Sequence, residues 1–183
     1  MPGIEFCPKI SENKLNLKFH DNLKQSFVIL FLKMEIQNYL KSVANSSDRE
    51  LRLKVCNNSV PKIKNVKVAY IRTDLLVPHQ NLKEWCEDEN NVYIGRSGIV
   101  FVDVGGGKKE RYPKHNSKFF NPYRVNKSCS RNQAVRKYNE NVLLKFSDNE
   151  ILGLAYKNIG CWCHPELCHG DAIIERYKSI FNI

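Results

Sequence analysis

The order of hydrophobic and polar residues along the chain predicts an α/β protein. Residues 23–43 place apolar side chains at helical spacing and predict one amphipathic helix. Farther along, alternating segments predict strands, and helical spacing returns between them. The predicted strands are 50–55, 66–72, 92–96, 99–104 and 159–163, and the later helices are 81–89, one that begins after Ser130, 148–156 and 171–181. Strands that alternate with helices favour a partly parallel sheet in a small Rossmann-like or three-layer fold.

Turn-forming residues divide this pattern into two parts. The sequence CNNSVP at 56–61 predicts a linker. We therefore expect an N-terminal extension over 1–62, which carries the amphipathic helix, and an α/β domain over 63–183. The three consecutive glycines at 105–107 predict the tip of a β-hairpin inserted in the second part.

The charge of the chain favours anionic partners. The 183 residues carry a formal net charge of +10, and 42% of them are hydrophobic, which is enough for a real core. We expect an anionic small molecule or a nucleotide as the partner, with nucleic acid as the alternative. Residues 1–64 and 65–183 each contribute +5, so no basic tail indicates a nucleic-acid arm.

The apolar runs and the cysteines indicate in which cellular compartment the protein is located. The longest apolar run, 27–32, is far shorter than the roughly 20 residues that span a bilayer, so we expect no membrane insertion. The first residues do not resemble a signal peptide. We therefore expect an intracellular protein, cytoplasmic or nuclear, in which the 7 cysteines are free thiols or metal ligands.

The residues that carry the most chemistry lie near the C-terminus, in the sequence CWCHPELCHGD at 161–171. Three thiols, two imidazoles and two carboxylates fall within this segment. It predicts a strand that ends near Cys163, a loop, and a helix that begins near His169. Three interpretations compete for it: an anion site, a metal site, and ordinary burial of cysteines in a core.

An anion site suits a strand-loop-helix junction. Free backbone N–H groups and the helix dipole favour phosphate or carboxylate there, and the same field lowers the pKa of a thiol. In this interpretation Cys163 or Cys168 is the thiolate, and His169 transfers a proton. Asp171 would orient His169.

The alternative is a zinc-stabilised nucleic-acid- or protein-binding module without catalysis, because thiolates and imidazoles are ligands for tetrahedral zinc. The candidate ligands are Cys161, Cys163, Cys168 and His169. The Cys-x-Cys spacing counts against this interpretation, since paired zinc ligands ordinarily have two or more residues between them. No other cofactor is indicated by the sequence.

Four segments together resemble an uncharacterised domain family found in phages, bacteria, large DNA viruses and some eukaryotes. They are NNVYIGR at 90–96, NPYRV at 121–125, the S-R-x-x-A-x-x-K-Y helix start at 130–138 and GCWCHPELCHGD at 160–171. The resemblance covers roughly residues 70–181, and its signature is the string G-C-W-C-x-P-x-x-C-H-G-D. The family pattern marks Gly95, Arg96, Asn121, Pro122, Cys161, Cys163, Pro165, Cys168, His169, Gly170 and Asp171.

The chain ending also resembles a second uncharacterised family, in which Cys-His-Arg begins the last helix. Gly170 stands here at the position of that arginine, so a phosphate clamp must come from elsewhere. Arg96, or the basic 108–118 segment with Lys114, is the candidate. The expected ligand is therefore a nucleotide or nucleotide-derived phosphate, held by Gly95, Arg96, Lys114, Asn121 and Gly170.

Overall fold

A computed structural model describes residues 21–183 except positions 75 and 104, and describes side chains from residue 28 onward. The first 20 residues of the predicted extension, and Val104 in the predicted strand 99–104, lie outside the described residues. The α-helices are α1 Asp21–Ala44, α2 Arg49–Ser59, α3 Val68–Arg72, α4 Leu82–Glu87, α5 Arg131–Asn141, α6 Asp148–Leu152 and α7 His169–Ile180, and Leu143–Lys145 forms a 3₁₀ turn. The strands are β1 Lys62–Asn65, β2 Asn91–Tyr93, β3 Val100–Asp103, β4 Lys109–Tyr112 and β5 Asn158–Cys161.

The α/β class is confirmed. Strands β1, β5 and β2 form a parallel sheet in that order, so β5 lies in the centre. Strands β3 and β4 form an antiparallel hairpin closed by the glycines at 105–107, as predicted. The capping boxes at Ser130 and Ser147 are both formed, which explains why α5 and α6 begin where the sequence indicates.

Two strand predictions were wrong. Segment 50–55 lies in α2, because the Asp48 side chain accepts the Leu51 N–H and caps a helix there. Segment 66–72 contains α3, and the strand lies just before it as β1. The Asn65 side chain accepts the Lys67 N–H at the end of β1, and this local hydrogen bond turns the chain out of the sheet.

The two faces of β5 contact different apolar clusters. Ile159 and Cys161 belong to the larger cluster, which contains buried residues of α1, α5 and α7. Gly160 faces the smaller cluster, where Val66 and Trp85 pack. Successive residues of a strand point to opposite faces, so the sheet separates two layers of side chains, as a three-layer fold requires.

The N-terminal helices contribute to the larger cluster. Leu40 and Val43 of α1 and Cys56 of α2 are buried in it together with Ile159. The boundary near residue 62 stays a prediction. Residues 28–36 of α1 expose apolar side chains, among them Phe31 at 55% and Met34 at 54%. Even so, none of the helices from residue 21 onward is both long and apolar enough to cross a membrane.

We expect Gly160→Ala to destabilise the fold by about 1–3 kcal/mol, the usual effect of overpacking a core. A Cβ at this position would lie 2.5 Å from Trp85 Cη2 and 2.5 Å from Val66 Cγ1, and both side chains are buried. Urea unfolding followed by circular dichroism measures the change. Gly153→Ala is the matched control, since its nearest atom is 3.2 Å away and its φ of −62° suits alanine. Equal unfolding free energies for the two variants would contradict this packing.

Candidate functional site

A cavity of about 470 Å³ opens at the carboxyl edge of the parallel sheet. Strand β2 ends at Tyr93 and leads directly to Gly95 and Arg96, while β5 ends at Cys161. Because the strands are parallel, their carboxyl ends meet at one edge, and residues from both ends line the cavity. Ligands of open α/β sheets bind outside this edge, so the position is the one expected for a binding site.

Hydrogen bonds hold the loop between β5 and α7 in place. The Asn65 side chain donates to the His164 carbonyl, and Arg131 Nη1 donates to the Leu167 carbonyl at 3.4 Å. Cys168 caps α7: its N–H donates to Asp171 Oδ2 at 2.7 Å, and its Sγ accepts the Gly170 N–H at 3.3 Å. The Asp171 carboxylate thus closes a capping box instead of binding the His169 ring.

Three buried ligand atoms converge at the base of the cavity. The sulfurs of Cys161 and Cys168 and one ring nitrogen of His169 all lie within 4.8 Å of one another. Cys163 lies next to this group, and its N–H donates to Cys161 Sγ at 3.5 Å. The Cys-x-Cys spacing therefore brings the two side chains together, since residues two apart in an extended chain share a face.

His169 has a fixed orientation, and its surroundings favour the neutral ring. Its Nε2 lies 2.8 Å from the Ile94 carbonyl, and its ring forms an edge-to-face pair with the ring of Tyr138, with the centroids 5.0 Å apart. Burial lowers the pKa of the imidazole, so the neutral ring is favoured at neutral pH. A carbonyl can only accept a hydrogen bond, so Nε2 carries the proton and Nδ1 keeps a lone pair.

The three thiols have different proton affinities. Hydrogen bonds to Cys163 and Cys168, together with burial, raise the pKa of Cys161. The same bond from Cys161, aided by Arg131 and Arg96, lowers the pKa of Cys163 to about 6. The bond from Cys161 also lowers the pKa of Cys168. Cys161 is therefore the protonated donor, and its two neighbours ionise more readily.

Three arginines line the same cavity: Arg96, Arg124 and Arg131. Arg96 donates through Nε to the Asn121 carbonyl and through Nη2 to the Tyr123 carbonyl, both at 2.9 Å. No carboxylate pairs with Arg96 or Arg124 among the residues that the structure describes. Arg131 pairs with Glu166 on the exposed loop. The cavity wall thus has an excess of positive charge.

The other residues marked by the sequence have mainly packing roles. The Asn121 side chain is buried, donating to the Ala134 carbonyl and accepting the Tyr123 N–H, so it fixes the loop, and the residue also lines the cavity. Gly95 lines the cavity. A Cβ on Gly170 would meet Ile63 Cδ1 and Ile94 Cδ1 at 3.2 Å, so an arginine would not fit at this position without rearrangement.

Lys114 lies away from the cavity. It is not among the lining residues, and its ammonium group is 3.5 Å from Glu110. Lys108 also pairs with Glu110, and Lys118 pairs with Glu150. Exposed pairs of this kind are weak, but they reduce the local excess of positive charge in the 108–118 segment. Phe119 of this segment is buried in the larger cluster.

Sequence reasoning missed Arg124 and Arg131 as site residues. Both fall inside segments that carry the family resemblance, NPYRV and the S-R-x-x-A helix start. Their place in these segments was the one signal that could have identified them as candidate site residues. Their approach to the cysteines depends on the irregular chain between β4 and α5, which no periodicity predicts.

The fold and the site define a small α/β protein with a Cys/His cluster beneath an arginine-lined cavity. The chain belongs to the family described as a domain of unknown function (DUF4326), whose profile matches residues 77–179. The matched region contains the whole cluster and all three arginines, whereas β1 precedes it. No curated protein and no solved structure matches the chain.

Proposed function

We propose that the chain binds a nucleotide or nucleotide-derived phosphate in the arginine-lined cavity. The observation that carries this proposal is the convergence of Arg96, Arg124 and Arg131 on one cavity at the carboxyl edge of the sheet. Arginine is the side chain best suited to phosphate, because its planar group donates two parallel hydrogen bonds. The cavity volume of about 470 Å³ lies within the usual range of roughly 300–1,000 Å³ for small-molecule and cofactor sites.

The arginines are available to a ligand to different degrees. Arg96 uses Nε and Nη2 on backbone carbonyls, which leaves Nη1 without a partner among the described residues. Arg124 is exposed at the mouth and has no ion pair within that part of the chain. Arg131 pairs with Glu166, donates to the Leu167 carbonyl and helps to lower the pKa of Cys163. A phosphate would therefore contact Arg96 and Arg124 directly and draw Arg131 from Glu166.

Aromatic residues of the lining suit the base of a nucleotide. Trp162 and Tyr123 are both half-buried in the wall of the cavity. Trp162 Nε1 donates to the Tyr93 hydroxyl at 3.0 Å, which fixes the indole ring in place. Stacking of a base on an aromatic ring contributes about 1–3 kcal/mol.

Cys163 is the most exposed of the three thiols that line the cavity. It is half-buried, whereas Cys161 and Cys168 are buried in the base of the cavity. His169, expected from the sequence to transfer protons, has Nε2 bound to the Ile94 carbonyl. We therefore propose a binding function. If the protein also reacts with the bound ligand, Cys163 is the side chain that would react with it.

Binding is tested by isothermal titration calorimetry with ATP, ADP, AMP, pyrophosphate and adenosine. We expect the phosphorylated compounds to bind and adenosine not to bind. Tighter binding of ADP than of pyrophosphate would support stacking on Trp162. If none of the five compounds binds at millimolar concentration, the proposed function is wrong.

Arg131→Gln should weaken ATP binding by about tenfold, because a charge-assisted hydrogen bond contributes about 1.5–3 kcal/mol and 1.4 kcal/mol is tenfold. Lys127→Gln is the matched control: it removes the same charge from an exposed residue in the loop next to the cavity wall. Equal losses in the two variants would indicate non-specific attraction by the net charge instead of a site.

A further inference from the structure

We propose that Cys161, Cys168 and His169 bind a zinc ion at the base of the cavity, with the fourth coordination position facing the arginines. All three residues are buried, and their ligand atoms lie within 4.8 Å of one another. A set of two thiolates and one imidazole with one open position is an established arrangement for zinc. The inference concerns the cavity of the proposed function, but its test uses no nucleotide and no phosphate, so either proposal can fail alone.

The imidazole is already held as a metal ligand should be. A metal-binding histidine ordinarily donates its second ring N–H to a backbone carbonyl or a carboxylate, which fixes the tautomer. His169 donates from Nε2 to the Ile94 carbonyl at 2.8 Å, so Nδ1 is the nitrogen left with a lone pair. None of the described residues forms a hydrogen bond with Nδ1, and His169 lines the cavity with 7% of its surface exposed. The lone pair of Nδ1 is therefore free to bind a metal ion that the sulfurs also hold.

A zinc ion would displace the thiol protons of Cys161 and Cys168 to solvent, and the surroundings suit the two thiolates that result. The Gly170 N–H points at Cys168 Sγ, and the Cys163 N–H points at Cys161 Sγ. Such donors stabilise metal-bound sulfur in the same way as the carbonyl orients the imidazole. Two thiolates and a divalent ion are neutral together, which removes the cost of burying an uncompensated charge. Thiolate and imidazole ligands favour zinc over magnesium and calcium, which prefer oxygen.

The fourth position is assigned to the cavity and not to Cys163. Cys163 is absent from the group of atoms within 4.8 Å of one another, and it is more exposed than the other two cysteines. Cys161, Cys168 and His169 themselves line the cavity, so an ion bound to them is accessible from it. An open position of this kind distinguishes a zinc ion that can bind a ligand from one that only stabilises the fold.

The site is tested by measuring the zinc content of the full chain, purified without chelators, by elemental mass spectrometry. We expect about one zinc ion per chain in the natural sequence, and less than about a tenth of that in Cys161→Ser or Cys168→Ser. Cys129→Ser is the matched control, since Cys129 is a free, half-buried thiol outside the group, and it should retain the metal. Cys163→Ser should also retain it. Loss of zinc in Cys163→Ser would overturn the open position.

Cobalt binding to the natural sequence keeps the test independent of whether the variants fold. The chain is stripped of metal with a chelator and titrated with Co²⁺. We expect a thiolate-to-cobalt absorption band in the near ultraviolet and visible bands of the strength typical of four-coordinate cobalt, both lost on addition of zinc. Added thiocyanate should shift the visible bands by occupying the fourth position. The absence of a thiolate band, or of zinc from the natural sequence, would overturn the proposed site.

Discussion

Ile159→Ala should lower the free energy of unfolding by about 2–5 kcal/mol, the range measured for truncating a buried aliphatic side chain. Ile159 is fully buried and lies in the central strand, between Ile63 of β1 and Val92 of β2. The deleted atoms leave a cavity that the two neighbouring strands cannot close, because their own hydrogen bonds to β5 fix the spacing. Urea unfolding followed by circular dichroism measures the loss.

Leu144→Ala is the control for this core substitution. Leu144 is also aliphatic but is 69% exposed in the 3₁₀ turn after α5, and we expect a change within about 0.5 kcal/mol. The comparison separates burial from side-chain type. Similar losses for Ile159→Ala and Leu144→Ala would mean that β5 is not the centre of the sheet.

The alternation of apolar and polar residues correctly predicted the strands near the cavity, but the strand that it predicted at 66–72 was wrong. The segments around β2, β3 and β5 combine alternating apolar residues with flanking turn residues, and both signals agree with the tertiary structure. In 66–72 the apolar residues also fit one helical turn, since Val68 and Ile71 lie three apart. Pairing with β5 selected Lys62–Asn65 instead, a strand with a single apolar residue. Such a strand is fixed by its neighbour and not by its own pattern.

The candidate site was predictable only where it is local in sequence. Cys161, Cys163, Cys168 and His169 lie within nine consecutive positions, and a strand followed by a helix necessarily folds them over one edge. Arg96 could be added because parallel strands end at the same edge. Arg124 and Arg131 could not, because the chain before α5 has no period of its own. Its path is set by hydrogen bonds from distant residues, such as Arg96 to Tyr123.

Arg96 therefore connects the predicted and the unpredicted parts of the site. Its guanidinium holds the carbonyls of Asn121 and Tyr123, and through them it positions the loop that carries Arg124. The same group lines the cavity beside the cysteines. The Arg96 guanidinium would thus bind the proposed ligand through its positive charge, and it also fixes the loop that forms part of the cavity wall.

Arg96→Met should weaken ATP binding by about a hundredfold, more than the loss expected for Arg131. One part of this effect is the lost charge-assisted hydrogen bond to phosphate, about 1.5–3 kcal/mol. The other part is the released loop, because methionine occupies similar space but donates to neither carbonyl. Isothermal titration with ATP measures the first effect, and proteolysis of the 121–130 segment reports the second.

Arg96→Lys separates these two contributions. Lysine keeps the positive charge but lacks the planar group that reaches two carbonyls at once, so it should recover only part of the affinity. Titration with pyrophosphate, which has no base to stack, should show the same order: natural sequence, then lysine, then methionine. If Arg96→Met binds ATP as tightly as the natural sequence while its loop is cut faster, Arg96 only anchors the loop. The phosphate would then have to bind at Arg124 and Arg131.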